Sequence, residues 1–114
     1  MSDAISTANG EHYRWGEGCD GWHLVNQDSL SVIQERVPPG KGERLHFHST
    51  SRQFFFVLEG SATLQVDGRP IVLKKHEGLE VSPKSRHLLR NDLNSDLSFL
   101  VISTPRSHGD RVDV

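Results

Sequence analysis

The sequence predicts an all-β sandwich or barrel. Its apolar segments are short, alternating and rich in β-branched residues. Glycine, proline and Asp-Gly turn signals separate them at regular spacing, and no stretch carries the period of an amphipathic helix of three turns. His12–Trp15 opens the series and is closed by the turn Gly16-Glu17-Gly18. Trp22–Val25 and Leu30–Val37 follow, the latter alternating Val32, Gln34 and Arg36 against Ile33, Glu35 and Val37. Pro38-Pro39-Gly40 ends that strand, because proline cannot donate to a ladder and glycine permits the turn. Arg44–His48, Phe54–Leu58, Ala62–Val66, Ile71–Leu73, Leu79–Val81, His87–Leu89 and Ser98–Ile102 complete the strands, with Asp67-Gly68 marking a hairpin. Helix is expected only in short pieces. Residues 1–11 are small and polar and read as a flexible N-terminal segment, 12–105 as the barrel, and 106–114 as a polar C-terminal tail.

The 114 residues suffice for one domain. Thirteen Lys and Arg stand against fifteen Asp and Glu, so no basic surplus exists to neutralise phosphates, and a nucleic-acid partner is not expected. The longest apolar run, Phe54-Phe55-Phe56-Val57-Leu58, is far short of the ~20 residues of a membrane helix. Met1-Ser2-Asp3-Ala4 has no basic region or apolar stretch, so no secretory signal is read there and a cytoplasmic location is expected. Cys19 is the only cysteine, which excludes an internal disulfide framework and a Cys-rich zinc site. No basic residue adjoins it to stabilise a thiolate, so it reads as inert. Against this plain background the chain carries seven histidines.

Two of them, His46 and His48, flank Phe47 and would project from one face of a strand, at a separation suited to two ligands on one ion. His87 lies on a later apolar segment, and Gln53 opens the Phe54–Leu58 strand with a neutral carbonyl oxygen. Three imidazoles and one oxygen suit a divalent first-row metal: Fe, Mn, Co, Ni or Zn. On spacing alone an H-x-H in a strand is a weak signal, because paired histidines on strand edges are common.

The surroundings of these residues add to that signal. The segment Gly40-x5-His46-x-His48-x4-Gln53-x6-Gly60 resembles the first motif of the cupin family, with Gln53 standing where the family has glutamate. His87 and Asn91 keep the histidine-x3-asparagine ending of its second motif. The glycine-x5-proline-x-glycine part of that motif is degraded, with His76, Ser82 and Lys84 in those places and Gly78 and Pro83 close by. The resemblance covers roughly residues 30–103. It implies a double-stranded β-helix, a small jelly-roll barrel often found as a dimer, with a metal at its open end. It also implies His46, His48, Gln53 and His87 as ligands. Family members include dioxygenases, isomerases, epimerases, decarboxylases, lyases and non-catalytic binding domains, so the fold does not deliver a reaction.

With an amide at Gln53 a divalent site keeps its formal +2 charge. Either affinity falls and the site is a relic, or the ion is a stronger Lewis acid for an anionic or enolisable substrate. Glu43 and Glu59 are near in sequence but not at a ligand position. Arg44 has the parity of His46 and His48 and is a candidate contact for a substrate carboxylate or phosphate. Phe55 shares the parity of Gln53 and is a candidate wall of the pocket, whereas Phe54, Phe56 and Leu58 face outward or toward a dimer partner. Trp15 and Trp22 read as packing residues, Arg90 as solvent-facing, and His12, His23, His76 and His108 as surface or satisfied core histidines. The expectation is thus a small metal-binding cupin, a homodimer, acting as dioxygenase, isomerase or lyase on a small anionic or polyol-like metabolite. The alternative is a non-catalytic binding or sensing barrel.

Overall fold

A computed structural model describes residues 3–107 and 109–114. They form eleven strands: β1 (Glu11–Trp15), β2 (Cys19–Asn26), β3 (Ser31–Val37), β4 (His46–His48), β5 (Arg52–Glu59), β6 (Ala62–Val66), β7 (Arg69–Leu73), β8 (Gly78–Val81), β9 (His87–Arg90), β10 (Leu97–Thr104) and β11 (Arg111–Asp113). One sheet runs β1-β2-β3-β10-β5-β8 and the other β11-β4-β9-β6-β7, every pairing antiparallel. This is the all-β, double-stranded β-helix anticipated above. No helix among the described residues is long and apolar enough to cross a membrane.

Strand alternation decides what fills the space between the sheets. Along β5, Gln53, Phe55 and Val57 are buried, while Phe54 faces out and is 38% exposed. Along β10 the inward set is Leu97, Phe99, Val101 and Ser103. Val37, Leu64 and Leu89 close the core from β3, β6 and β9. One end of the interior is therefore hydrocarbon. The other end receives Gln53, Ser103 and the three histidines of β4 and β9, all buried.

The turns follow from local chemistry. Asp67 and Gly68 both have positive φ, 49° and 81°, as a tight hairpin between β6 and β7 requires. Gly40 and Gly60, the outer glycines of the first motif, are left-handed at 76° and 85°. A Cβ on Gly60 would also stand 2.9 Å from the Asp96 carbonyl oxygen, so the motif demands glycine there for two reasons. Residues 4–10 contain a turn in which the Gly10 N–H donates to the Ser6 carbonyl at 2.7 Å.

The C-terminal segment departs from expectation. Within residues 106–114, read as a polar tail, Arg111–Asp113 pairs with β4, placing Arg111 opposite His48 and Asp113 opposite His46. A three-residue polar strand shows no hydrophobic alternation, so nothing in its composition announces it. What holds it is Asp110, whose carboxylate accepts the backbone N–H groups of Ser49, Thr50 and Ser51 at 3.1, 3.1 and 2.8 Å. Burial opposes ionisation of Asp110, but these donors outweigh it and hold its pKa below the usual carboxylate range. Replacing Asp110→Ala should cost about 1–2 kcal/mol in urea unfolding. Hydrogen exchange at the amides of β11 should quicken before that of β10.

Candidate metal centre

β4 pairs with β9 so that His46 lies directly across from His87. His48, two residues on, shares the inward face. The ring centroids are 4.4 Å apart for His46 and His87, 5.2 Å for His46 and His48, and 5.8 Å for His48 and His87. One ring nitrogen from each lies within 4.8 Å of the others. The Nδ1 atoms of His46 and His87 sit 2.7 and 2.9 Å from the carbonyls of Arg44 and Ser85. A carbonyl can only accept, so each Nδ1 carries the proton and each Nε2 keeps a free lone pair. Burial lowers the pKa of His46 and of His48 to about 4, and holds that of His87 below the ordinary histidine value. All three are neutral at physiological pH, the state in which imidazole is a ligand.

Gln53 is placed by its own ladder. It stands opposite Ser103 in the β5–β10 pairing, and its Nε2 donates to the Ser103 hydroxyl oxygen at 3.1 Å. That turns Oε1 toward His87 Nε2, 3.1 Å away. With the His87 proton on Nδ1, two lone-pair atoms confront each other, an arrangement a shared cation relieves. Two metal–ligand bonds of about 2.1 Å at a right angle put their donor atoms about 3.0 Å apart. The donor set therefore fits a divalent first-row ion: three neutral imidazoles and one amide oxygen. With its amide turned over, Gln53 would donate to His87 Nε2 and accept from Ser103, the arrangement of a site without an ion.

A cavity of about 300 Å³ opens over these groups. Phe55, 2% exposed, is one wall and meets His87 edge-on at a centroid distance of 5.9 Å. Arg44, predicted to point at substrate, does not line the cavity and is exposed. Parity argues only within a strand, and β4 begins at His46, so Arg44 lies beyond the stretch in which alternation holds. Its contribution is the carbonyl that fixes His46. The arginine that does line the cavity is Arg111, which β11 places opposite His48 and whose Nε donates to Asp113 Oδ1 at 2.8 Å.

Two carboxyl groups, Glu35 and Glu43, and the Tyr13 hydroxyl also line the cavity. Tyr13 donates to Glu35 Oε2 at 2.8 Å, and Glu43 accepts the Leu89 N–H at 3.1 Å. Burial, reinforced by the charge of Glu43, pushes the Glu35 pKa up to about 8, and burial pushes that of Glu43 up to about 7. Tyr13 is raised as well, by burial and by Glu35. One signal for Glu35 lay in the sequence: it shares the parity of Ile33 and Val37, which makes it an acid on the apolar face of a strand. Nothing comparable marked Tyr13 or Glu43.

The family model of the cupin domain matches residues 33–103. The chain belongs to the cupin family. This cupin is 33% identical over 81 residues to an uncharacterized protein of Methanocaldococcus jannaschii, a match that takes in 70% of this chain and 65% of the other. It is 22% identical over 107 residues to the oxalate-binding protein of Thermotoga maritima, covering 89% of this chain and 88% of that one. Among solved structures, the polyketide cyclase RemF of Streptomyces resistomycificus superposes with a TM-score of 0.84 at 18% identity, over 100% of this chain and 86% of that one.

The other described histidines of the cupin, His12, His23 and His76, stand apart from the centre. His12 Nε2 is 2.7 Å from Asp20 Oδ1, and His76 stacks on Phe56 with centroids 6.2 Å apart. His23 packs against Tyr13 at 5.2 Å. His108 lies outside the described residues. Cys19 is fully buried, and burial raises its thiol pKa, so it stays protonated.

The shifted groups predict opposing pH dependences for the metal-free protein. His46 and His48, with folded pKa values near 4 against an unfolded value near 6.5, contribute stability above pH 6.5 that is lost as pH falls toward 4. Glu35 and Glu43 contribute stability below their unfolded value of 4.5 that is lost as pH rises through about 7 to 8. Glu35→Gln should therefore raise the melting temperature over the parent more at pH 9 than at pH 5, with a differential gain of about 1 kcal/mol or more. Thermal melts at the two pH values measure it.

Proposed function

We propose that this cupin is a metal-dependent enzyme acting on a small anionic or polyol-like metabolite, with isomerase or lyase chemistry rather than dioxygenase chemistry. The observation that carries the reading is the convergence of His46, His48, His87 and Gln53 Oε1 beneath a cavity with its own charged groups. A bound divalent ion would supply Lewis acidity toward a substrate oxygen. The chain supplies the rest. Four neutral donors leave the ion's charge uncompensated, which favours an anionic ligand. Arg111, on the face of His48, adds a guanidinium suited to a carboxylate or phosphate. Phe55, Trp15, Ile33 and Val101 make the remaining wall apolar and restrict water. Glu35 and Glu43 are carboxyl groups able to hold protons near neutral pH.

One relative supports an anionic ligand: the Thermotoga maritima protein, 22% identical to this chain, is named for binding oxalate, a small dicarboxylate. The oxalate-binding relative also favours a second reading, in which the barrel binds a small carboxylate without turnover.

Protein purified without a histidine tag and titrated with Mn, Fe, Co, Ni and Zn should bind about one ion per chain. His46→Ala with His48→Ala should weaken that affinity by ~100-fold or more, and His12→Ala should leave it unchanged. Absence of bound metal, with a melting temperature unmoved by any of the five ions, would overturn the reading. Gln53→Glu should tighten metal binding, because it adds a negative charge at a ligand position, while changing any activity.

A further inference from the structure

Glu35 occupies an inward position of β3, is 8% exposed, and lines the cavity that His46, His48 and Gln53 also line. Its Oε2 accepts the Tyr13 hydroxyl; its Oε1 has no partner among the described residues. Neither Glu35 nor Glu43 takes part in an ion pair among the described residues. Glu43 is held by one backbone N–H, at 3.1 Å from Leu89. A carboxyl buried for structural reasons is normally satisfied on both oxygens or neutralised by a cation. Here two carboxyl groups share one cavity, and each has one oxygen without a hydrogen-bond partner among the described residues.

We propose that Glu35 and Glu43 form the proton-transfer pair of this site, one carboxylate accepting a proton from substrate carbon while the other carboxyl donates one to substrate oxygen. The inference rests on the metal-dependent reading above and narrows it to reactions that begin by enolisation of a 2-oxo or 2-hydroxy-oxo acid. In the first step the C–H bond next to the substrate carbonyl breaks, and its proton goes to the carboxylate of the pair. The electron pair becomes the C=C bond of the enol, and the carbonyl oxygen takes the proton of the carboxyl partner. Isomerisation completes the step in the opposite sense. The former carbonyl carbon takes the proton back from the first glutamate, and the hydroxyl on the carbon that lost it surrenders its own proton to the second glutamate and becomes the new carbonyl. Nothing is consumed, so no oxidant or reductant is required.

The electrostatics support this division of labour. Glu35 is buried and Glu43 half-buried along one cavity. In the metal-free protein desolvation raises both carboxyl pKa values and the charge of Glu43 raises that of Glu35 further, which favours one acid and one base over two carboxylates. The charged or titratable groups that bear on Glu35 are Tyr13 from β1, Cys19 from β2, Glu43 from the loop before β4, and Arg111 from β11.

The test uses protein loaded with Mn, with pyruvate and hydroxypyruvate as probes, in deuterium oxide. Proton NMR should show loss of the C3 hydrogen signals faster than with Mn in buffer. Glu35→Gln and Glu43→Gln should each slow this exchange by ~100-fold or more, while calorimetry finds their Mn affinity within about threefold of the parent. Carbon-13 NMR of labelled glutamate in the metal-free protein gives a readout independent of turnover. The Glu35 carboxyl should titrate well above the ordinary glutamate range, and Glu43→Gln should lower its midpoint. Failure to bind Mn, Fe, Co, Ni and Zn alike would sink the metal-dependent reading; if Mn alone fails, the exchange is run with the ion of the five that binds. Normal Mn binding with no exchange above buffer, or with exchange unaffected by Glu35→Gln, would sink the proton-transfer pair alone.

Discussion

The antiparallel contact between β4 and β9 is the constraint on which the site depends. It sets His46 against His87, and through the two-residue period of a strand it sets His48 beside them. A slip of one residue would turn His46 and His48 to the other face of the sheet and bring Phe47 inward. The register is secured on both flanks. Asp110 ties the start of β11 to the residues after β4, and β6 pairs with β9 along Thr63–Val66. The imidazoles are then oriented by backbone carbonyls within their own segments, at Arg44 and Ser85. The same few residues thus set both the separation of the donors and the direction of their lone pairs.

Placing so many polar groups inside a small barrel has a stability consequence. Each buried imidazole must stay neutral, and each buried carboxyl must keep a proton or find a partner, so the two sets pull stability in opposite directions with pH. The hydrocarbon half of the interior offsets this. Phe55 and Phe99 pack 6.1 Å apart, with Leu64, Leu89, Leu97 and Val57 also buried, at roughly 1.5–3 kcal/mol for each large side chain taken out of water.

Strand positions were legible because local chemistry sets them: alternation along β3, β5 and β10, the Asp67-Gly68 hairpin, and the break at Pro38-Pro39-Gly40. The histidine trio was legible because two members share one strand and the motif fixes the third. What escaped was set at long range. β11 exists because Asp110 finds three N–H groups about 60 positions away in the chain, which no local pattern encodes. Arg44 failed as a cavity residue because alternation was carried past the start of β4, and Arg111 took the role through that unread strand. Glu35 was visible as an acid of apolar parity, but its meaning needed the burial, the Tyr13 contact and the shared cavity.

The neutral ligand at position 53 and the paired carboxyl groups belong to one electrostatic arrangement. An acidic ligand there would add a negative charge at the floor of the cavity that holds Glu35 and Glu43. Like charges push carboxyl pKa values upward, and both groups already lie far above the ordinary range. In the metal-free protein a further rise would favour the doubly protonated pair. Gln53 supplies the oxygen without the charge, and its amide nitrogen is satisfied by Ser103. Positive charge from Arg111 acts in the other direction, favouring one ionised member of the pair and an anionic substrate together. The departure from the glutamate of the family's first motif therefore reads as an adjustment that leaves the negative charge of the cavity to groups that exchange protons.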